Sequence, residues 1–171
     1  MNHNILLFAQ ILGLLSFALG IFAFYQKSDK KLKITMVILN INYMVHFFLM
    51  CSPVSALSSF LAAVRTGISI YISSKIIAFV FVTIGIIWGV WLANSALDLF
   101  PIIGTCIGTL SLFLLKGIKM RLCLLLGSTC WLINNILVGS IGGTMLEACV
   151  ISMNSFTIYR LYLIESKKEI A

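Results

Sequence analysis

Gly13-Leu-Leu-Ser-Phe-Ala-Leu-Gly-Ile-Phe-Ala-Phe-Tyr-Gln-Lys-Ser-Asp-Lys-Lys-Leu-Lys33 is an apolar run that ends abruptly in a basic cluster. Traced back to residue 4, the run is about 22 residues long, and a hydrocarbon core of about 30 Å needs about 20 residues of helix. No basic segment precedes it and no small-residue cleavage site follows Tyr25-Gln26-Lys27, so it reads as a retained span and not a signal peptide. No lipidation motif is present.

Six further apolar runs follow. The expected spans are 4–25, 34–50, 54–73, 76–94, 96–115, 122–138 and 143–163, with Asn94-Ser95 the weakest break. Composition agrees: 61% of the 171 residues are hydrophobic and only 10% charged, against about 25% charged in a soluble domain. The chain cannot cover a water-facing surface, so its solvent is lipid. The net charge of +7 sits in short clusters between apolar runs. That suits topology signals and contact with anionic headgroups, and the reading includes no nucleic-acid partner. Seven spans place ten of the twelve basic residues on one side: Lys27, Lys30, Lys31, Lys33, Lys75, Lys116, Lys119, Arg121, Lys167 and Lys168. The positive-inside rule then puts the N-terminus outside and the C-terminus in the cytoplasm. Cys51, Cys106, Cys123, Cys130 and Cys149 form no C-x-x-C pair, so neither a metal site, a disulfide framework nor a cofactor is expected.

Shifted by 88 residues, the chain falls on itself without a gap from the first span to the third. Gly20 meets Gly108, Lys31 meets Lys119, Lys33 meets Arg121, Tyr43 meets Trp131, Ser52 meets Ser140, and Ile70-Tyr71 meets Ile158-Tyr159. Three helices are an odd number, so a second triplet keeps its orientation only if one extra helix intervenes. The expected fold is all-α and membrane-embedded: a three-helix repeat over 1–73, a linker helix over 74–95, and a second repeat with a short tail over 96–171. Parallel repeats about an axis along the membrane normal are a transporter design.

Gly13 to Lys33, together with His46-Phe47-Phe48-Leu49 and Ala62-Ala63-Val64-Arg65, resembles the bacterial inner-membrane family called YgjV. That resemblance implies an inner-membrane location and assigns no activity. A more distant one is to SWEET and PQ-loop proteins, which implies a SWEET-like 3+1+3 architecture. Trp131-Leu132-Ile133-Asn134-Asn135 is similar to their second-helix Trp-x-x-Tyr-Gly signature, with Asn134 and Asn135 in place of Tyr and Gly. In sugar-carrying members that Trp lines the pocket, and an Asn follows 15–16 residues later. Here the count lands on Leu146 or Glu147, and from Tyr43 on Ser58 or Ser59. The motif proline is absent too: the first repeat reads Phe24-Tyr25-Gln26, and the second has only Pro101.

Polar side chains inside hydrocarbon are costly and by default face protein or water. Arg65, expected about 12 Å from the end of its span, binds an anionic group, pairs with a buried carboxylate, or stretches to the headgroups. Thr66 and Asn154 are repeat partners that approach the pseudo-twofold axis, or else join helices by hydrogen bonds. Glu147 is the one acidic residue well within a span; it titrates with a proton, holds a cation, or sits hydrated at the interface. His46 and Asn134 are repeat partners, and His46 shares a helix face with Asn42. Tyr43 and Trp131 clamp a flat substrate or fill the core. Ser59 completes the candidate solute-binding set. Gly13, Gly20, Gly104, Gly108 and Ser111 allow close helix contact.

The function expected is a small-solute transporter or facilitator with a pocket between the repeats, acting on a small polar solute within the lipid bilayer. The alternative is a non-transporting membrane scaffold, sorting, or partner- or lipid-binding protein on the same SWEET-like fold. The two diverge on whether Glu147, Asn154 and Arg65 enter one hydrated cavity. No nucleophile elbow, H-E-x-x-H motif or intramembrane aspartate pair is present, so no enzyme is expected. A homo-oligomer is compatible with the sequence and not required by it.

Overall fold

A computed structural model of the chain describes residues 3–24, 29–72, 74–115 and 117–170. Among these residues there are seven α-helices: α1 (His3–Phe24), α2 (Asp29–Leu49), α3 (Pro53–Ser69), α4 (Lys75–Leu92), α5 (Leu99–Leu114), α6 (Gly117–Val138) and α7 (Ile141–Ile170), with a short 3-10 turn (Ala96–Asp98) before α5. The protein is all-helical, and the helices follow the seven apolar runs in order. Four of them, α1, α4, α6 and α7, hold stretches long and apolar enough to cross a membrane. α2 and α5 hold shorter apolar stretches, Lys33–Leu49 and Ala96–Ser111. α3 is much less apolar than α1, and it turns Ser55, Ser58, Ser59, Arg65 and Thr66 into the protein. Large side chains such as Phe22, Phe48, Trp91 and Phe156 are exposed along the outside, as a lipid-facing surface requires.

Several helix ends depart from the hydropathy limits. α2 begins at Asp29 and α6 at Gly117, so Lys30, Lys31, Lys33, Lys119 and Arg121 ride on the first turns of helices instead of lying in loops. Charge ends the hydrocarbon span without ending the helix, because lysine and arginine are good helix formers. α7 continues to Ile170 for the same reason. α3 stops at Ser69, short of residue 73, in a tightened last turn where Ile70 N–H bonds Gly67 O and Tyr71 N–H bonds Ile68 O. Residues 26–28 and 116 of the expected breaks, and residue 73 at the expected end of the third span, lie outside the described residues.

α1, α2 and α3 pack in chain order, and α5, α6 and α7 do likewise. α1 also packs on α7, α3 packs less extensively on α5, and α4 lies against α3 and α5. Leu39, Tyr43, Phe47, Ala56 and Leu146 form the buried apolar cluster, with Phe17, Trp131 and Val150 packed around it.

The two turns that join α2 to α3 and α6 to α7 share one geometry, residue for residue at a separation of 88. Cys51 and Gly139 have φ of 56° and 76°. Cys51 N–H bonds Phe48 O at 3.1 Å and Gly139 N–H bonds Ile136 O at 3.1 Å. Ser52 N–H reaches Phe47 O at 2.9 Å, and Ser140 N–H reaches Asn135 O at 2.8 Å. This is the Schellman arrangement, with a left-handed residue closing the helix. Glycine adopts that conformation freely, whereas Cys51 holds it against the steric preference of an ordinary residue.

Glycines set the closest approach. A Cβ on Gly142 would fall onto the Gly13 backbone, and one on Gly20 would run into Leu146; α1 therefore lies against α7. A Cβ on Gly104 would lie 3.0 Å from Gly127 O, bringing α5 close to α6. Gly108, read from the sequence as part of the same small-residue face, has no atom within 4 Å of its added Cβ. Ser111 is fully buried, its hydroxyl bonded to Ile107 O at 2.6 Å. Gly142→Ala therefore forces α1 and α7 apart at an overpacking cost of about 1–3 kcal/mol. Its melting temperature in detergent should fall by roughly 3–10 °C, while Gly108→Ala stays within a degree or so of wild type; equal melting of the two variants would contradict the seating of α1 on α7.

Candidate functional site

The candidate residues separate into three groups. The first ties the two triplets together near the α2–α3 and α6–α7 turns. His46, fully buried on α2, has its Nδ1 2.7 Å from Ala9 O and its Nε2 2.7 Å from Ser140 Oγ. One ring nitrogen donates and the other accepts, or both donate if the ring is charged. Gly13 leaves room for the ring, since a Cβ there would come within 3.0 Å of His46 Cε1. One turn earlier, Asn42 donates to Leu12 O and Ser16 Oγ, both at 2.7 Å, so this face of α2 is pinned to α1. Ser140 also caps α7, accepting from Gly143 N–H at 3.2 Å.

At the positions 88 away, the construction is reciprocal. Asn134 on α6 is reached across the triplets by Ser55 of α3, whose hydroxyl donates to Asn134 Oδ1 at 2.8 Å. Ser55 is in turn bonded to Ser52 at 2.6 Å. His46 and Asn134 thus both join α2 or α6 to the opposite turn region. His46 is a cross-link with both ring nitrogens engaged.

The second group occupies the middle. Tyr43 stacks on Phe47 with ring centroids 5.2 Å apart, and Phe47 meets Trp131 at 5.7 Å. Phe47 thus packs against both rings of the expected clamp. Glu147 lies six residues into α7, about 9 Å along the helix, with Ser128 of α6 against its carboxyl and Tyr43 within range of its charge. The Tyr43 hydroxyl, Ser59 Oγ, Asn134 Nδ2 and Asn135 Oδ1 are buried without a hydrogen-bond partner.

The third group is split. Arg65 is 7% exposed and donates to Thr109 Oγ1 of α5 at 2.6 Å. Because α3 ends at Ser69, it lies about 6 Å from the helix end, nearer than the sequence implied, yet it turns into the bundle. Thr66 is buried beside it, its carbonyl accepting from Ser69 Oγ at 2.8 Å. Asn154 of α7 is buried and accepts from Arg121 Nη1 at 3.1 Å. Lys33, 88 residues before Arg121, bonds Ser69 O at 2.6 Å, so in each triplet a basic residue at the start of the middle helix holds the next helix. Arg65, Glu147 and Asn154 therefore occupy three separate settings and do not enter the single cavity on which the transporter and scaffold readings diverge, so a transporter reading loses that support and has to rest on other residues.

Sequence reasoning missed Phe47, Ser55, Thr109 and Ser128. For the first two a signal existed: they sit one turn from residues already singled out, Tyr43 and Ser59, on the same helix faces. Thr109 and Ser128 carried none, because their roles depend on which helices meet.

Residues 7–165 match a family profile described as Imp-YgjV, bacterial inner membrane protein. The inner membrane protein YgjV of Escherichia coli (strain K12) is 32% identical over 161 residues, 93% of this chain and 87% of that protein. No solved structure matches the chain. A profile match over nearly the whole chain, a full-length relative and a lipid-facing all-helical fold agree: the chain belongs to the YgjV family of multi-pass bacterial inner-membrane proteins.

Proposed function

We propose that this protein is a small-solute transporter or facilitator, built as two parallel three-helix units joined by α4 in the 3+1+3 manner of SWEET proteins, with its solute path between the units. The observation that carries the reading is a set of orphaned polar atoms, two at mid-helix (Tyr43 and Ser59) and two close to the α6–α7 turn (Asn134 and Asn135). Tyr43, Ser59, Asn134 and Asn135 come from both triplets and bury polar atoms without partners. In a lipid-facing protein such groups are expensive, and a polar solute passing between the triplets would satisfy them. The turns that match at 88 residues and the reciprocal His46 and Asn134 links support a pseudo-twofold axis along the membrane normal, the geometry of parallel-repeat transporters. The aromatic stack of Tyr43, Phe47 and Trp131 closes the path in this conformation and would part to admit a solute. Glu147 beside Tyr43 supplies a group able to follow the solute or a proton. The protein moves its solute without covalent chemistry.

Two experiments test this. Proteoliposomes offered a pool of sugars, amino acids, organic acids and nucleosides should accumulate at least one component, read by mass spectrometry. Glu147→Gln and Tyr43→Phe should reduce that uptake about ten-fold, the value of one good polar contact. Background uptake by folded wild type would favour the scaffold reading instead.

The charge bias places the N-terminus outside. In a chain whose only cysteine is Cys51, a membrane-impermeant maleimide should label intact cells, whereas a chain whose only cysteine is Lys119→Cys should label only after permeabilisation. The opposite pattern would invert the orientation.

A further inference from the structure

The Arg65 setting lies between α3, α4 and α5, at the α3–α5 edge of the interface between the triplets. A small cavity of about 10 Å³ opens there, lined by Ser58, Leu61, Arg65, Thr105, Cys106 and Thr109 among others. That is room for one water-sized guest.

Arg65 is more than nine-tenths buried. A guanidinium carries five N–H donors in a fixed fork, and among the described residues one hydrogen bond is made, to Thr109 Oγ1. Thr109 has no proton left to give, since its hydroxyl donates to Thr105 O at 2.7 Å. No carboxylate among the described residues neutralises the charge. Asp98 is engaged by Asn94 N–H and Ser95 N–H, and Glu147 lies against Ser128. The Thr105 hydroxyl, on the cavity wall, is buried with no partner. The site thus presents one uncompensated positive charge and an idle hydroxyl around a hole the size of one small guest. A buried cation without a counter-charge is strongly disfavoured. Water would fill the space and leave the charge uncompensated, while a phosphate or carboxylate group is too large for it.

We propose that the cavity between α3, α4 and α5 is a binding site for a monovalent anion of halide size, held by the Arg65 guanidinium and the Thr105 hydroxyl. The site requires no transport by the central path, so it stands or falls separately from the transporter reading.

The test is melting of the purified full-length protein in detergent, titrated with sodium chloride or sodium fluoride against sodium gluconate and sodium sulfate at equal ionic strength. A saturable rise of roughly 3–6 °C at ten times the Kd is expected with a halide, and none with gluconate or sulfate. Arg65→Met should abolish it. Should that variant fail to fold, Thr105→Val, which keeps Arg65, should weaken halide affinity several-fold. Chloride-35 NMR line broadening by wild type, relieved by fluoride, gives the same answer without any variant. An absent or unsaturable halide effect in wild type, an equal shift with sulfate, or a halide shift retained at full strength in Arg65→Met or Thr105→Val would overturn the assignment.

Discussion

A polar group that enters hydrocarbon must find its partner inside the protein, because lipid offers none. Much of this structure follows from how the chain meets that demand. His46 could not stand alone on α2, so Ala9 O and Ser140 Oγ close around it. Asn134 could not stand alone on α6, so Ser55 reaches it from α3. The bonds to Ser140 and from Ser55 cross between triplets. Apolar packing provides little preference between one helix and another when lipid is equally apolar, so small residues and hydrogen bonds decide which helices meet. The polar residues define the assembly, and Phe47, Leu146 and Trp131 fill what those contacts leave.

The same constraint explains where the charges end up. Lys33 and Arg121 sit on the first turns of α2 and α6, where their long side chains bond Ser69 O and Asn154 Oδ1 of the following helices. They combine a topology signal with a clamp between neighbouring helices. Arg65 obeys the constraint least well. It has a hydroxyl for a partner and no counter-charge among the described residues, and the Thr105 hydroxyl on the same cavity wall has no partner among them either, which is why this setting carries information about function.

The fold was legible in the sequence to the extent that it depends on hydropathy. Seven apolar runs gave seven helices in order, and the 88-residue register identified Cys51 with Gly139 and Ser52 with Ser140, whose backbone geometry matches. Helix ends were less legible. Hydropathy reports where lipid stops, whereas α2, α6 and α7 run on into charged sequence. The candidate site was half legible. Its residue types were recognisable from the cost of polarity in a membrane, but their partners were not. Nothing local to Arg65 announces Thr109, 44 positions away, and nothing around Tyr43 shows that Phe47 would lie between it and Trp131. A single cavity uniting Arg65, Glu147 and Asn154 was a statement about helix rotation, which periodicity in an almost wholly apolar helix fixes poorly.

The two seams between the triplets are unequal, and the inequality has a consequence for movement. At α1–α7, Gly13 and Gly142 bring backbones into contact. Gln10 spans the α6–α7 turn there, donating to Gly139 O at 2.6 Å and accepting from Ile141 N–H at 3.2 Å. At α3–α5 the corresponding positions, 88 residues away, are Val54 in place of Gly142 and Pro101 in place of Gly13. Asp98 replaces Gln10, and it binds the N–H groups of Asn94 and Ser95 instead of the opposite turn. The first seam is therefore close-packed and cross-bonded, while the second is bulkier, less extensive and holds the Arg65 cavity. Interdigitated backbones resist sliding, and a seam held by side chains around a hole does not. On the transporter reading, α1–α7 is the fixed edge about which the triplets turn and α3–α5 is the edge that opens. Arg65 then sits at the edge where displacement is largest, bridged to α5 through Thr109, so an anion held there would add a charged contact across that edge.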